Sequence, residues 1–177
     1  MFDKEPKAVH RYAVLIALLS LFLVIEPLNT HAQDRAIKWY SMQDAQSLAK
    51  ENSKQVLAYA EASWCVYCKK MDNEVFPQQA VVDSLNAYFY PVRIDIESNE
   101  TMLYNGEKIT KRQFAKAHKV RATPTTFFLS KEGEILGGQP GFIPADTFSM
   151  LLAFVGSGAF REMDFKMYIQ NMPREKN

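Results

Sequence analysis

The chain has 177 residues, 47% of them hydrophobic, with 21 Lys plus Arg against 20 Asp plus Glu and only two cysteines. That is enough apolar material for the core of one ordinary domain. The near-neutral balance excludes a global electrostatic draw toward nucleic acid or an acidic surface, and two cysteines exclude a disulfide-stapled scaffold, which would carry several well-separated pairs.

Lys4, Lys7 and Arg11 open the chain, an apolar run follows from Tyr12 to Ile25, and Thr30-His31-Ala32 supplies small residues at the two positions that matter for cleavage. This is the pattern of a secretory signal ending at Ala32, which leaves 33–172 as the folded domain and 173–177 as a disordered tail. The apolar run is shorter than the roughly 17–25 residues of a spanning helix. Cleavage is therefore expected, with an uncleaved membrane anchor as the alternative. In an exported chain a single cysteine pair at reactive spacing is there for chemistry.

Ser41, with Asp44 three residues on, reads as a capping box for a helix ending near Asn52, with Met42, Ala45, Leu48 and Ala49 on its inner face. Val56 to Ala60 is a short buried strand. Directly after it comes Trp64-Cys65-Val66-Tyr67-Cys68, opening a helix that continues through Met71, Val75 and Phe76 until Pro77 interrupts it. A cysteine that starts a helix feels the unpaired backbone N–H groups there, which favour thiolate over thiol. In Cys-x-x-Cys the second sulfur lies one turn further on, within reach of the first, so Cys65 can attack a disulfide and Cys68 can release the product.

Ala80 to Asn86 resumes helical spacing, and Phe89 to Ile96 reads as a second strand, with Pro91 at an irregular start or where its missing N–H does no harm. Strand, helix, strand at this spacing make a right-handed βαβ unit with parallel strands, and the cysteines lie at a strand's carboxyl end. Glu97 to Ile109 is polar and contains the turn signal Asn105-Gly106, and is expected to be a surface excursion. Thr110 caps a helix through His118, and Val120 to Leu129 is a loop running into an apolar strand. Lys131-Glu132-Gly133 turns into an edge strand over Glu134 to Gly137. Gly137 to Gly141 is expected to be a flexible linker into a helix starting near Pro144, with Phe148, Leu151, Leu152 and Val155 inward. Gly156-Ser157-Gly158 ends that helix and a short amphipathic stretch reaches Met172. There is no internal repeat and no second domain.

The Trp64-Cys65-Val66-Tyr67-Cys68-Lys69 stretch after a strand, Ala122-Thr123-Pro124-Thr125 before another, and Gly141-Phe142 ahead of the last helix together resemble the thioredoxin superfamily over about residues 36–160. Within it the chain is most similar to exported thioredoxin-like proteins that keep periplasmic thiols reduced, including the SoxW type. The resemblance implies an α/β fold with a central mixed sheet flanked by helices. It also implies a cis Pro124 facing Cys65, and a Thr123 backbone able to pair with an extended substrate.

Two features depart from the superfamily pattern. Tyr59 stands where thioredoxin carries a buried acid six residues before the first cysteine, so that Glu61, Asp72 or water must serve instead. Val66-Tyr67 stands between the cysteines in place of glycine and proline, so that little beyond the helix end, Lys69 and Lys70 stabilises the Cys65 thiolate.

The expected function is that of a periplasmic, monomeric thiol-disulfide oxidoreductase that reduces or isomerises protein disulfides. Cys65 and Cys68 are its catalytic pair, and Trp64, Thr123 and Pro124 contact the substrate. No cofactor is expected beyond the Cys65–Cys68 disulfide. No metal is expected either, because zinc wants four ligands and the mature chain adds only His118, which reads as an exposed or dipole-pairing histidine. Expected partners are disulfide-containing exported proteins and a membrane electron-transducing thiol reductase, with no nucleic acid. The rival readings are a copper-handling or peptide-binding module, and a net disulfide oxidase. The basic stretch from Lys108 to Arg121 reads as a solvated face.

Overall fold

The structure is a computed structural model and describes residues 36–172. The expected signal and the expected tail lie outside the described residues. Strand β1 (Gln55–Glu61) is the centre of the fold, buried at every position from Val56 to Ala60. Such a run suits a strand covered on both faces. It pairs in parallel with β2 (Phe89–Asp95) and antiparallel with β5 (Thr125–Leu129), which pairs antiparallel with β6 (Ile135–Pro140). The result is a mixed sheet in the order β2-β1-β5-β6.

Period-2 alternation along β1 divides the core into two layers. Leu57 and Tyr59 face a layer that includes Met71, Leu85, Phe148 and Leu152, whereas Val56, Ala58 and Ala60 face one that includes Met42, Ala49 and Phe114. Helices α1 (Met42–Asn52) and α4 (Lys111–Ala117) therefore cover one face of the sheet. Helices α3 (Gln79–Tyr88) and α5 (Ala145–Gly156) cover the other. The arrangement agrees with the resemblance drawn from the motifs. Pro91 sits on an edge strand, where its carbonyl accepts from the Tyr40 N–H at 2.9 Å and its missing donor breaks no ladder.

Several local readings change. The Ser41 box is half made: its hydroxyl accepts from the Asp44 N–H and donates to the Asp44 carboxylate, so the acid never reaches back to the Ser41 backbone. The complete box is at Thr110, where Gln113 returns the bond to the Thr110 N–H at 2.7 Å. The polar excursion contains a hairpin, β3 (Thr101–Tyr104) and β4 (Glu107–Thr110), closed by Asn105-Gly106. Tertiary bonds order it: Gln46 and Asn105 exchange two hydrogen bonds, and the Tyr104 hydroxyl donates to the Gly133 carbonyl at 3.0 Å. The expected Gly137–Gly141 linker is strand as far as Pro140, because β5 supplies the hydrogen-bond partners that Gly-Gly-Gln-Pro cannot specify itself. The stretch up to Met172 forms a turn of 3₁₀ helix, Ala159–Arg161, and then α6 (Phe165–Asn171), whose Phe165 and Tyr168 stack on Phe154.

The exposed reading of His118 is corrected as well. It caps the C-terminus of α4 half-buried in an aromatic nest, 4.3 Å from the Phe114 ring centroid and 5.8 and 5.9 Å from those of Tyr104 and Phe127. Burial lowers its pKa below the usual 6.5. The unfolded chain therefore binds the proton more readily, and stability supplied by neutral His118 is present above about pH 6.5 and lost as pH falls below it. Urea midpoints measured on both sides of that pH should drop in acid, and His118→Phe should remove part of the drop.

Where α5 crosses α3, a Cβ on Gly156 would lie 2.3 Å from Cγ of Tyr88. Gly156→Ala is expected to cost about 1–3 kcal/mol by overpacking, read as a lower urea midpoint at unchanged slope.

Candidate active site

At the end of β1 the chain passes through buried Ala62 and turns, the Cys65 N–H donating to the Ala62 carbonyl at 3.0 Å. Cys65 then takes the extended conformation of an N-cap (φ −75°, ψ 107°) for α2 (Val66–Lys70). Its Sγ does what a serine or aspartate oxygen does elsewhere, accepting the Cys68 N–H at 3.0 Å. Cys65 and Cys68 are joined as a disulfide with S–S 2.15 Å and Cα–Cα 5.2 Å. On reduction the same N–H is positioned to favour negative charge on Cys65.

Both cysteines are 3% exposed, while Trp64, Val66 and Tyr67 around them are 61%, 74% and 59% exposed. The sulfurs thus lie at the bottom of an apolar rim. Tyr67 extends that rim to Phe142 at 6.2 Å, and Lys70 Nζ lies 4.7 Å from the Phe142 ring centroid.

The Thr123–Pro124 peptide is cis, in line with the resemblance. Thr125 is in register with Ala60, so Thr123 and Pro124 extend past the same end of the sheet as Ala62 and Cys65. The Pro124 carbonyl accepts from the Gly141 N–H at 2.7 Å, tying this loop to the segment that carries Phe142. The Thr123 hydroxyl is buried without a hydrogen-bond partner among the described residues.

The remaining polar chemistry lies on the sheet face beneath α2. Tyr59 is fully buried, its hydroxyl unpartnered, and burial raises its pKa far above the usual phenol range, so it is neutral at physiological pH. Two residues on, at the strand's end, Glu61 meets Arg93 at 2.5 Å, and the other guanidinium nitrogen meets Asp72 at 2.5 Å. Asp72 reaches that position from a π-helical turn, Met71–Val75, that follows α2. Arg93 stacks over Trp39 at 4.1 Å. Burial raises the Glu61 pKa, and the nearby Arg93 opposes that rise. A groove of about 320 Å³ is lined by Glu61, Cys68, Lys69, Asp72, Arg93 and Asp95.

Arg93 and Trp39 were not among the expected site residues. The signal for Arg93 was an arginine inside the apolar strand Phe89 to Ile96; nothing local distinguished Trp39. A cleft of about 630 Å³ lined by Tyr40, Met42, Met102 and Leu103 contains neither cysteine. Among the described residues no three His, Cys, Asp or Glu side chains converge on a metal-sized site, and no helix is long and apolar enough to cross a membrane.

The family model of the thioredoxin-like domain matches residues 42–156. The thiol:disulfide interchange protein DsbD of Pseudoalteromonas atlantica is 30% identical over 108 residues, 59% of this chain. The chain spans 17% of that relative's length. A thioredoxin-fold protein from Helicobacter pylori superposes with TM-score 0.61 at 21% identity, over 67% of this chain and 84% of that one, a likeness of fold alone. A thioredoxin from Thermus thermophilus superposes with TM-score 0.58 at 26% identity, over 72% of this chain and 94% of that one.

Proposed function

The chain belongs to the thioredoxin-like domain family, and from that premise we propose that it is a monomeric periplasmic thiol-disulfide oxidoreductase that reduces or isomerises protein disulfides. The observation that carries this reading is the pair itself: Cys65 bonded to Cys68, with the Cys68 N–H donated to the attacking sulfur. In the reductive direction Cys65 thiolate attacks a client disulfide, forming a mixed disulfide and expelling one client thiolate, which takes a proton. Cys68 then attacks Cys65 Sγ, closes the ring and expels the second client sulfur. The client gains two electrons and the protein loses two. Trp64, Thr123 and Pro124 border the client segment, with the Thr123 backbone as a pairing edge.

Residues 1–32 serve as the export signal and 33–172 as the functional domain. The clients are exported proteins containing disulfides. Re-reduction comes from a membrane thiol reductase, a partner class consistent with the thiol:disulfide interchange name of the Pseudoalteromonas relative. Purified protein with dithiothreitol as electron source should reduce insulin, and neither Cys65→Ser nor Cys68→Ser should do so beyond the reagent alone. Equal rates for all three would end the proposal. Direction is read from the dithiol potential: a value near thioredoxin's, about −270 mV, supports reduction, and one near about −120 mV makes the protein an oxidase.

A further inference from the structure

The resolving sulfur, Cys68, starts as a thiol and must lose its proton as it attacks. The phenol of Tyr59 cannot accept that proton, being neutral and buried. The geometry points to Glu61 as the group that takes the Cys68 proton, passing it through solvent in the groove that the two residues share, while Arg93 holds the carboxylate in place. This assignment rests on the thiol-disulfide reading above and deepens it.

Three observations support it. The first is access: Glu61 and Cys68 line one groove of about 320 Å³, room for several water molecules between polar walls. The second is charge. Glu61, Asp72 and Asp95 line that groove against Arg93 and Lys69, so carboxylates outnumber cations. Arg93 is divided between Glu61 and Asp72. Such a cluster readily accommodates one proton. The third is position. The Glu61 side chain is 20% exposed, more buried than that of Asp72 at 36%, and this burial raises the Glu61 pKa. The Glu61 carbonyl accepts from the Ile96 N–H at 3.0 Å, which fixes the strand end from which the side chain leaves.

The step balances. Cys68 S–H gives its proton to the Glu61 carboxylate as its electron pair forms the bond to Cys65 Sγ. The Cys65–client S–S bond breaks, and the client sulfur leaves with that bond's pair. Glu61 then loses the proton to bulk solvent through the groove. Arg93 remains paired to Asp72 while Glu61 is neutral, so the guanidinium is never left without a carboxylate.

An aromatic disulfide reagent, 5,5′-dithiobis(2-nitrobenzoate), separates the two half-reactions. Attack by Cys65 releases the first coloured thiolate, and attack by Cys68 releases the second. With Glu61→Gln the second phase is expected to slow at least about tenfold between about pH 6 and 7, with the first phase unchanged. The difference should narrow as pH rises and hydroxide takes over deprotonation of the thiol. Asp72→Asn, which leaves the Glu61 carboxylate, should slow the second phase less than Glu61→Gln does. A second phase equal to wild type, equal slowing of both phases at every pH, or a larger effect from Asp72→Asn would each overturn the assignment. If Glu61→Gln does not fold, Glu61→Ala, which also removes the carboxylate, is read in the same way, and an unchanged second phase overturns the assignment. Release of no coloured thiolate by the reduced wild-type protein would instead overturn the thiol-disulfide reading itself.

Discussion

Cys68→Ser is expected to accumulate covalent complexes with client proteins, while its multiple-turnover reduction of insulin falls by more than about 10³-fold. The reason lies in the division of labour at the end of β1. Cys65 keeps its N-cap position, so it still attacks, and the backbone N–H of residue 68 survives the substitution. What disappears is the sulfur that sits one turn on, joined to Cys65 across a Cα–Cα distance of 5.2 Å. A serine hydroxyl there is not a competent nucleophile toward a disulfide, so the mixed disulfide persists until an outside thiol resolves it. Because both cysteines are 3% exposed beneath the rim of Trp64, Val66 and Tyr67, outside thiols reach the linkage slowly. Non-reducing electrophoresis of exported extracts mixed with the variant should show dithiothreitol-sensitive bands that Cys65→Ser does not produce. Their absence would count against a two-cysteine mechanism.

The largest stability effect is expected at Phe148→Ala. Phe148 is fully buried on α5, with its ring centroid 6.1 Å from that of Phe76, and belongs to the layer that includes Tyr59 and Met71. Removing it deletes the transfer contribution of an aromatic ring and leaves a cavity that the sheet above cannot close. The expected loss is about 3–5 kcal/mol, a large fraction of the stability of a domain this size. Urea unfolding followed by circular dichroism measures it. A loss under about 1 kcal/mol would mean that α5 can collapse into the gap, and that the packing of this layer is looser than Phe76, Phe148 and Tyr59 imply. The variant should still carry out the dithiol chemistry at low temperature, because Phe148 lies beneath the sheet and not on the rim.

How much was legible from residues alone follows from the range of the forces involved. Helix caps, the buried run Val56 to Ala60, the cysteine spacing and the Thr-Pro-Thr segment are set by neighbours a few positions away, and the structure has them where they were expected. The hairpin at Thr101–Thr110 was not legible, since its strands are short and largely polar. It is ordered instead by bonds from Gln46, fifty-nine residues from Asn105. Nor was the full length of β6 legible, because glycines carry no side-chain pattern. The candidate site divides in the same way. Cys65, Cys68, Trp64, Thr123 and Pro124 stand in local motifs, whereas the pairing of Arg93 and its stacking on Trp39 depend on residues distant in the chain.

The sequence by itself determined the reactive unit, because a sulfur three positions from another at the start of a helix owes its properties to local backbone geometry and the N–H groups there. Tertiary structure alone decided what surrounds that unit. It brought Glu61 from β1, Arg93 from β2 and Asp72 from the turn after α2 to one groove beside Cys68. The physical reason is that parallel pairing aligns Tyr59 with Arg93 across the sheet, and no residue's own preferences specify its partner in another strand.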